Sequence, residues 1–98
     1  MMEVKSNDNV ILVGGKPFMN YVTGVVIQFT TKAANEVIVK SRGKFISKAV
    51  DVCEVSRKKF VNDFNVFVKD VKIDSEEFKR EDGKNVTVST LEITMAKK

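Results

Sequence analysis

Apolar positions change their spacing along this chain, and each change predicts an element. Asn9 to Val13 reads Asn-Val-Ile-Leu-Val, a continuous apolar run bounded by glycine, which predicts a strand covered on both faces. From Phe18 the period lengthens: Phe18, Val22, Val25 and Phe29 recur at spacings of four, three and four, with Met19 and Val26 widening the same face. Asn20, Thr23, Gly24 and Thr31 lie opposite, so the segment reads as an amphipathic helix ending near residues 30–32. Gly14 and Gly15 end the strand, and Pro17 suits the first helical position, where its missing N–H would have had no partner. Glu36 to Lys40 is a second short buried strand rich in β-branched residues. A right-handed crossover through the helix makes the two strands parallel.

A second helical period runs from Lys44 to Asn62, with Phe45, Ile46, Ala49, Val50, Val52, Cys53 and Phe60 on one side and Lys44, Lys48, Asp51, Val55 and Lys58 on the other. The last third alternates instead. Val66 and Val68 are followed by Val71 and Ile73, and Val86 and Val88 by Leu91, Ile93 and Met95. In both runs the apolar parity slips by one residue, as at a bulge or in a strand whose tip half leaves the body. The charged connection from Asp74 to Asn85 contains Asp82-Gly83, a strong hairpin signal, so the two strands predict a long projecting arm. The order is β-α-β-α-β-β, an α+β two-layer sandwich in one domain spanning residues 1–98. Residues 1–8 and Ala96 to Lys98 lack periodicity and are expected to be disordered or loosely attached.

Composition narrows the chemistry. The chain has 98 residues, one cysteine and no histidine. Cys53 has no internal disulfide partner and reads as a small buried hydrophobe, and a zinc site or another metal cofactor lacks its usual ligands. Missing histidine also removes the commonest general base, and no convergent carboxylate pair replaces it, so no catalytic residue and no small-molecule substrate are nominated. No apolar stretch approaches the roughly 20 residues of a membrane span, which predicts a soluble cytoplasmic protein.

Charge adds a direction. Residues 40–59 hold seven basic side chains (Lys40, Arg42, Lys44, Lys48, Arg57, Lys58, Lys59) against Asp51 and Glu54, a net +5 in a chain whose total is +4. Two turns, Gly14-Gly15-Lys16-Pro17 and Lys40-Ser41-Arg42-Gly43-Lys44, each follow a strand and open a helix. Neither matches a nucleotide-binding glycine motif. Cations at helix starts are electrostatically misplaced unless an anion is present, and Lys16, Arg42 and Lys44 repeat that misplacement at two helices. Parallel strands would bring both turns to one edge, where backbone N–H groups also favour anions. The residues alone therefore suggest a nucleic-acid backbone binder. The arm carries Lys79, Arg80 and Lys84 among four acidic residues, compatible with minor-groove entry and equally with a merely soluble tip. Phe60, beside Arg57 and Lys58, is a candidate contact for another copy. Against these stands the reading of a protein-binding scaffold or small enzyme that happens to be basic.

Three segments carry a resemblance. Val10 to Val22 (Val-Ile-Leu-Val-Gly-Gly-Lys-Pro-Phe-Met-Asn-Tyr-Val), Glu36 to Asp51 and Val88 to Ile93 resemble the archaeal Alba family of chromatin proteins, whose fold is similar to the C-terminal domain of translation initiation factor three. The resemblance implies a homodimer that binds double-stranded DNA and RNA largely without sequence specificity and compacts the chromosome. It implies phosphate or groove contacts at Lys16, Asn20, Tyr21, Arg42, Lys44 and Lys48, with Lys79, Arg80 and Lys84 on the arm. It further implies dimer–dimer contacts along nucleic acid at Arg57, Lys58 and Phe60. Many relatives carry two consecutive basic residues where this chain has Gly15 then Lys16, which implies weaker or more selective binding. An RNA chaperone, a ribonucleoprotein subunit or a low-abundance selective DNA binder stay open beside bulk packaging.

Overall fold

A computed structural model of the chain describes residues 9–98. The expectation for residues 1–8 lies outside this range. The chain runs through β1 (Val10–Leu12), α1 (Phe18–Phe29), β2 (Glu36–Arg42), α2 (Ile46–Val55), β3 (Phe67–Lys79) and β4 (Asn85–Ala96). The strands form one sheet in the order β1-β2-β4-β3. β1 and β2 are parallel, as the crossover requires, and β4 is antiparallel to both β2 and β3.

Both helices pack on one face of this sheet, which makes two layers. Val22, Val25 and Phe29 of α1 meet Val37 and Val39 of β2, Ala49, Val52 and Cys53 of α2 and Ile93 and Met95 of β4 in a single core. Gly24 permits close approach of α1 to β1, since an added Cβ would lie 3.3 Å from Ile11 Cδ1. The expectation that β1 is covered on both faces is corrected, and β2, expected as a buried strand, is buried on one face only. Burial alternates along β2, and Leu12 of β1 is 70% exposed, because among the described residues no second helical layer covers the far side.

Other details also depart from the periodic reading. Pro17 is the residue before α1, with ψ 145, and the first helical position falls to Phe18. Tyr21 and Gln28 are buried in place of Met19, which is exposed. The second helical segment is composite: a 3-10 turn at Gly43–Phe45, α2, and a π-helical turn at Ser56–Phe60. These changes of pitch rotate the buried face, so Val55 packs against the core while Val50 is exposed. A bulge occurs in β3 between Val68 and Asp70, but β4 has no matching irregularity. Its parity change is the alternative foreseen, a strand leaving the body. Leu91, Ile93 and Met95 face the helices, while Val86 and Val88 lie on the open face opposite Phe78 and Glu76. The strands extend to Lys79 and from Asn85, so most of the charged connection is paired strand. Ala96 is buried at the end of β4, and the Lys97 N–H donates to the Asn35 carbonyl at 3.0 Å, so this end is attached.

Gly43 turns the chain from β2 into the second helical segment with φ +59, in the left-handed region. A Cβ there would meet Val88 Cγ1 at an ordinary 3.5 Å, so conformational strain is the main penalty. Gly43→Ala is expected to lower stability by about 1–2 kcal/mol, measured by urea unfolding. An unchanged midpoint would contradict this.

Candidate nucleic-acid interface

Parallel pairing sends β1 and β2 out of the sheet at the same edge, and the Val13 N–H donates to the Lys40 carbonyl at 2.9 Å just before the chains turn. Lys48, in the first turn of α2, then fastens the second segment to the first turn. Its Nζ donates to the Gly14 carbonyl at 2.8 Å and to the Lys16 carbonyl at 2.6 Å. It also lies 5.2 Å from the Tyr21 ring centroid and 5.9 Å from that of Phe45, while Lys44 Nζ lies 5.5 Å from Phe45. Lys16, Arg42 and Lys44 are exposed around this junction, and neither helix has an acidic residue in its first turn. The two turns are thus brought together by strands and by a side-chain bridge.

Two of the expected anion-binding amides, both in the first turn, are corrected. The N–H groups of Gly14 and Lys16 both donate to the Tyr21 hydroxyl, each at 3.0 Å. They point inward because the buried Tyr21 ring brings its oxygen beneath the loop, so cationic side chains supply the anion-attracting groups of this turn. Burial works to raise the Tyr21 phenol pKa. The N–H donors of Lys16 and Gly14 and the nearby Lys48 and Lys16 ammoniums outweigh it and leave the pKa below its ordinary value. Asn20 is exposed and lines a groove with Lys16, Thr23 and β1.

Arg42 is exposed but engaged, its Nη1 donating to Glu76 Oε1 on β3 at 2.8 Å. Sequence reading missed this partner. The contact depends on the registers of β2 with β4 and β4 with β3, which no local pattern encodes. A pair this exposed contributes little to stability, and an incoming phosphate would compete with the carboxylate.

The arm ends in a three-residue loop, Glu81-Asp82-Gly83, between Arg80 and Lys84. The Arg80 N–H donates to the Lys84 carbonyl at 2.8 Å and the Gly83 N–H to the Arg80 carbonyl at 2.9 Å. Lys79 and Lys84 are exposed without an ion pair among the described residues, and Arg80 faces Asp82 at 3.6 Å. Arg42 lies opposite Thr90, five residues along β4 from Asn85, so the tip stands about 17 Å farther out. The structure therefore does not bring the tip cations to the turns.

A third group lies at the end of the second helical segment. Phe60 is 50% exposed. Arg57 is bidentate to Glu54 at 2.6 and 3.0 Å, and Lys58 reaches the same carboxylate at 3.4 Å. The Arg57 hydrogen bonds lead in holding Glu54 below its ordinary pKa, with Lys58 adding to them and burial opposing. Cys53 is buried and its thiol is pushed up to about 12, chiefly by burial, so it packs as expected. Among the described residues no cluster of three or more histidine, cysteine, aspartate or glutamate side chains stands ready for a metal, and no helix is long and apolar enough to cross a membrane.

The sequence model of the Alba family matches residues 9–75. The DNA/RNA-binding protein Alba of Methanococcus maripaludis is 47% identical over 90 residues, covering 92% of this chain and 99% of that protein. The DNA/RNA-binding protein Alba 1 of Archaeoglobus fulgidus is 50% identical over 91 residues, covering 93% and 98% respectively. Among solved structures, Alba from Thermoplasma volcanium superposes with a TM-score of 0.81 at 47% identity, over 91% of this chain and 100% of that one. ALBA1 from Trypanosoma brucei, 24% identical with a TM-score of 0.66 over 92% of this chain and 69% of its own, shares the fold.

Proposed function

We propose that this chain, which belongs to the Alba family, binds double-stranded DNA through phosphate contacts, largely without sequence preference, and binds RNA through the same surface. The observation that carries the reading is the Lys48 bridge from the start of α2 to the first turn. Lys16, Arg42 and Lys44 are exposed about this junction, neither helix start carries an acid in its first turn, and of the three only Arg42 has a carboxylate partner among the described residues, Glu76. Asn20 flanks this edge, and Lys79, Arg80 and Lys84 give the arm a second contact farther along a duplex. The RNA half rests on the names of the relatives and on the phosphate rails that A-form helices also present.

The active unit in this reading is a homodimer. Val68, Val71 and Ile73 of β3 stand opposite Met95, Ile93 and Leu91 and so continue the buried face of β4, yet they are 36%, 51% and 76% exposed. A second copy laid on this strip would remove it from water. Phe60 would then be free for contacts between dimers along nucleic acid, supporting compaction in the cytoplasm on the chromosome. Arg57 and Lys58, already held by Glu54, would frame that contact.

Titration of two unrelated duplexes and one structured RNA, between about 50 and 200 mM salt, tests the reading. The expected result is similar affinity for both duplexes and a linear fall of log affinity with log salt. Salt-independent binding, or none to any of the three, would overturn it.

A further inference from the structure

We infer that Tyr21 and Lys48 form a positioning clamp for the Gly14–Lys16 turn and serve binding by fixing where Lys16 is presented, without themselves touching phosphate. The inference rests on the proposed nucleic-acid reading only for its consequence on affinity. The clamp itself is four hydrogen bonds. Tyr21 Oη accepts from the N–H of Gly14 and of Lys16, and Lys48 Nζ donates to the carbonyls of the same two residues. The turn's polar backbone is held from within the domain at both residues, by one side chain from α1 and one from α2.

Neither side chain is arranged as a surface contact. The Tyr21 residue is 8% exposed, and its oxygen lies beneath the loop. An ammonium has three donors, and two of those on Lys48 are committed to carbonyls while its Nζ also lies 5.2 and 5.9 Å from the Tyr21 and Phe45 ring centroids. Lys16, by contrast, is exposed, with its backbone clamped. A flexible lysine next to Gly14 and Gly15 would sample many positions, so a fixed backbone lowers the ordering cost of meeting a phosphate. No capping side chain steadies the start of α1, which leaves the clamp as the turn's polar support.

Two substitutions separate the clamp from a direct contact. Tyr21→Phe removes only the hydroxyl, and Lys48→Met removes the ammonium while keeping an unbranched side chain of similar length. In the free protein, amide exchange at Gly14 and Lys16 is expected to accelerate about three- to tenfold in Tyr21→Phe, which removes the acceptor of both N–H groups, and to rise by less in Lys48→Met, which frees the carbonyls of the same two residues and loosens the turn. Each substitution should also weaken duplex binding several-fold, with little further loss when introduced into Lys16→Ala, because both act through Lys16. Unchanged amide exchange in both variants would overturn the clamp. Losses that add in full to that of Lys16→Ala would overturn the assignment of Lys48 and Tyr21 as positioning residues. If Lys16→Ala alone leaves affinity unchanged, the nucleic-acid reading of that turn fails, and the exchange rates still decide whether the clamp exists. A cooperative melting transition and a far-UV circular dichroism spectrum like the parent's establish that Tyr21→Phe retains the fold, even where its melting temperature falls by a few degrees.

Discussion

Replacing Lys16 with glutamate is expected to raise folding stability and lower nucleic-acid affinity at the same time. Lys16 precedes Pro17 and the first turn of α1, where backbone N–H groups present the positive end of the helix dipole and no acidic residue is present. An acid near this end is favourable by about 0.3–1 kcal/mol relative to no charge, so exchanging a cation for an anion should raise the melting temperature by a few degrees. The same change removes a proposed phosphate contact from each subunit. For a dimer, two lost contacts reduce the salt slope by about 1.8, so between about 50 and 200 mM salt the variant loses roughly tenfold less affinity than the parent. Its affinity at low salt falls below that of Lys16→Ala, because the new carboxylate repels the backbone. Thermal melting and a salt titration on the same preparation check both signs. Higher stability with unchanged affinity would make Lys16 an electrostatic misplacement with no role in binding.

That double effect was legible in the chain because a lysine at a glycine turn before a helix is a local pattern. So were the βαβ unit and the composite helix as one segment, each written in its apolar spacing, and the existence of an arm, signalled by Asp82-Gly83 between two alternating runs. What was not legible depends on groups distant in sequence. Glu76 meets Arg42 only after two strand registers are set. Tyr21 lies on the buried side of α1 where Met19 had been expected, because its hydroxyl satisfies two loop amides that would otherwise lack protein partners. The continuous Val-Ile-Leu-Val run implied cover on both faces, yet Leu12 faces water because, among the described residues, no helix covers the far side of the sheet. The arm's true length was hidden for the opposite reason. The outer part of β3, from Asp74 to Lys79, buries little, so its pairing comes from backbone hydrogen bonds and leaves no apolar alternation to read, whereas β4 shows Val86 and Val88.

Phe29→Ala should produce the largest loss of stability, and nucleic acid should reverse part of it. Phe29 closes the C-terminal end of α1, is 0% exposed and belongs to the one core shared by both helices and the sheet. Truncating a buried phenylalanine costs about 3–5 kcal/mol, a large share of the roughly 5–15 kcal/mol expected of a small domain. The melting temperature should fall by more than about 12 °C at this chain length. If the folded state is the form that binds duplex, then duplex supplied at about 100 times Kd restores roughly 2.7 kcal/mol to parent and variant alike. The Lys16→Glu variant should gain much less from the same duplex concentration. Calorimetric melting of the three proteins with and without duplex distinguishes the outcomes. An equal gain for Lys16→Glu would show that the edge at Lys16 contributes nothing to binding, and no gain for parent or Phe29→Ala would show that duplex does not recognise the folded domain.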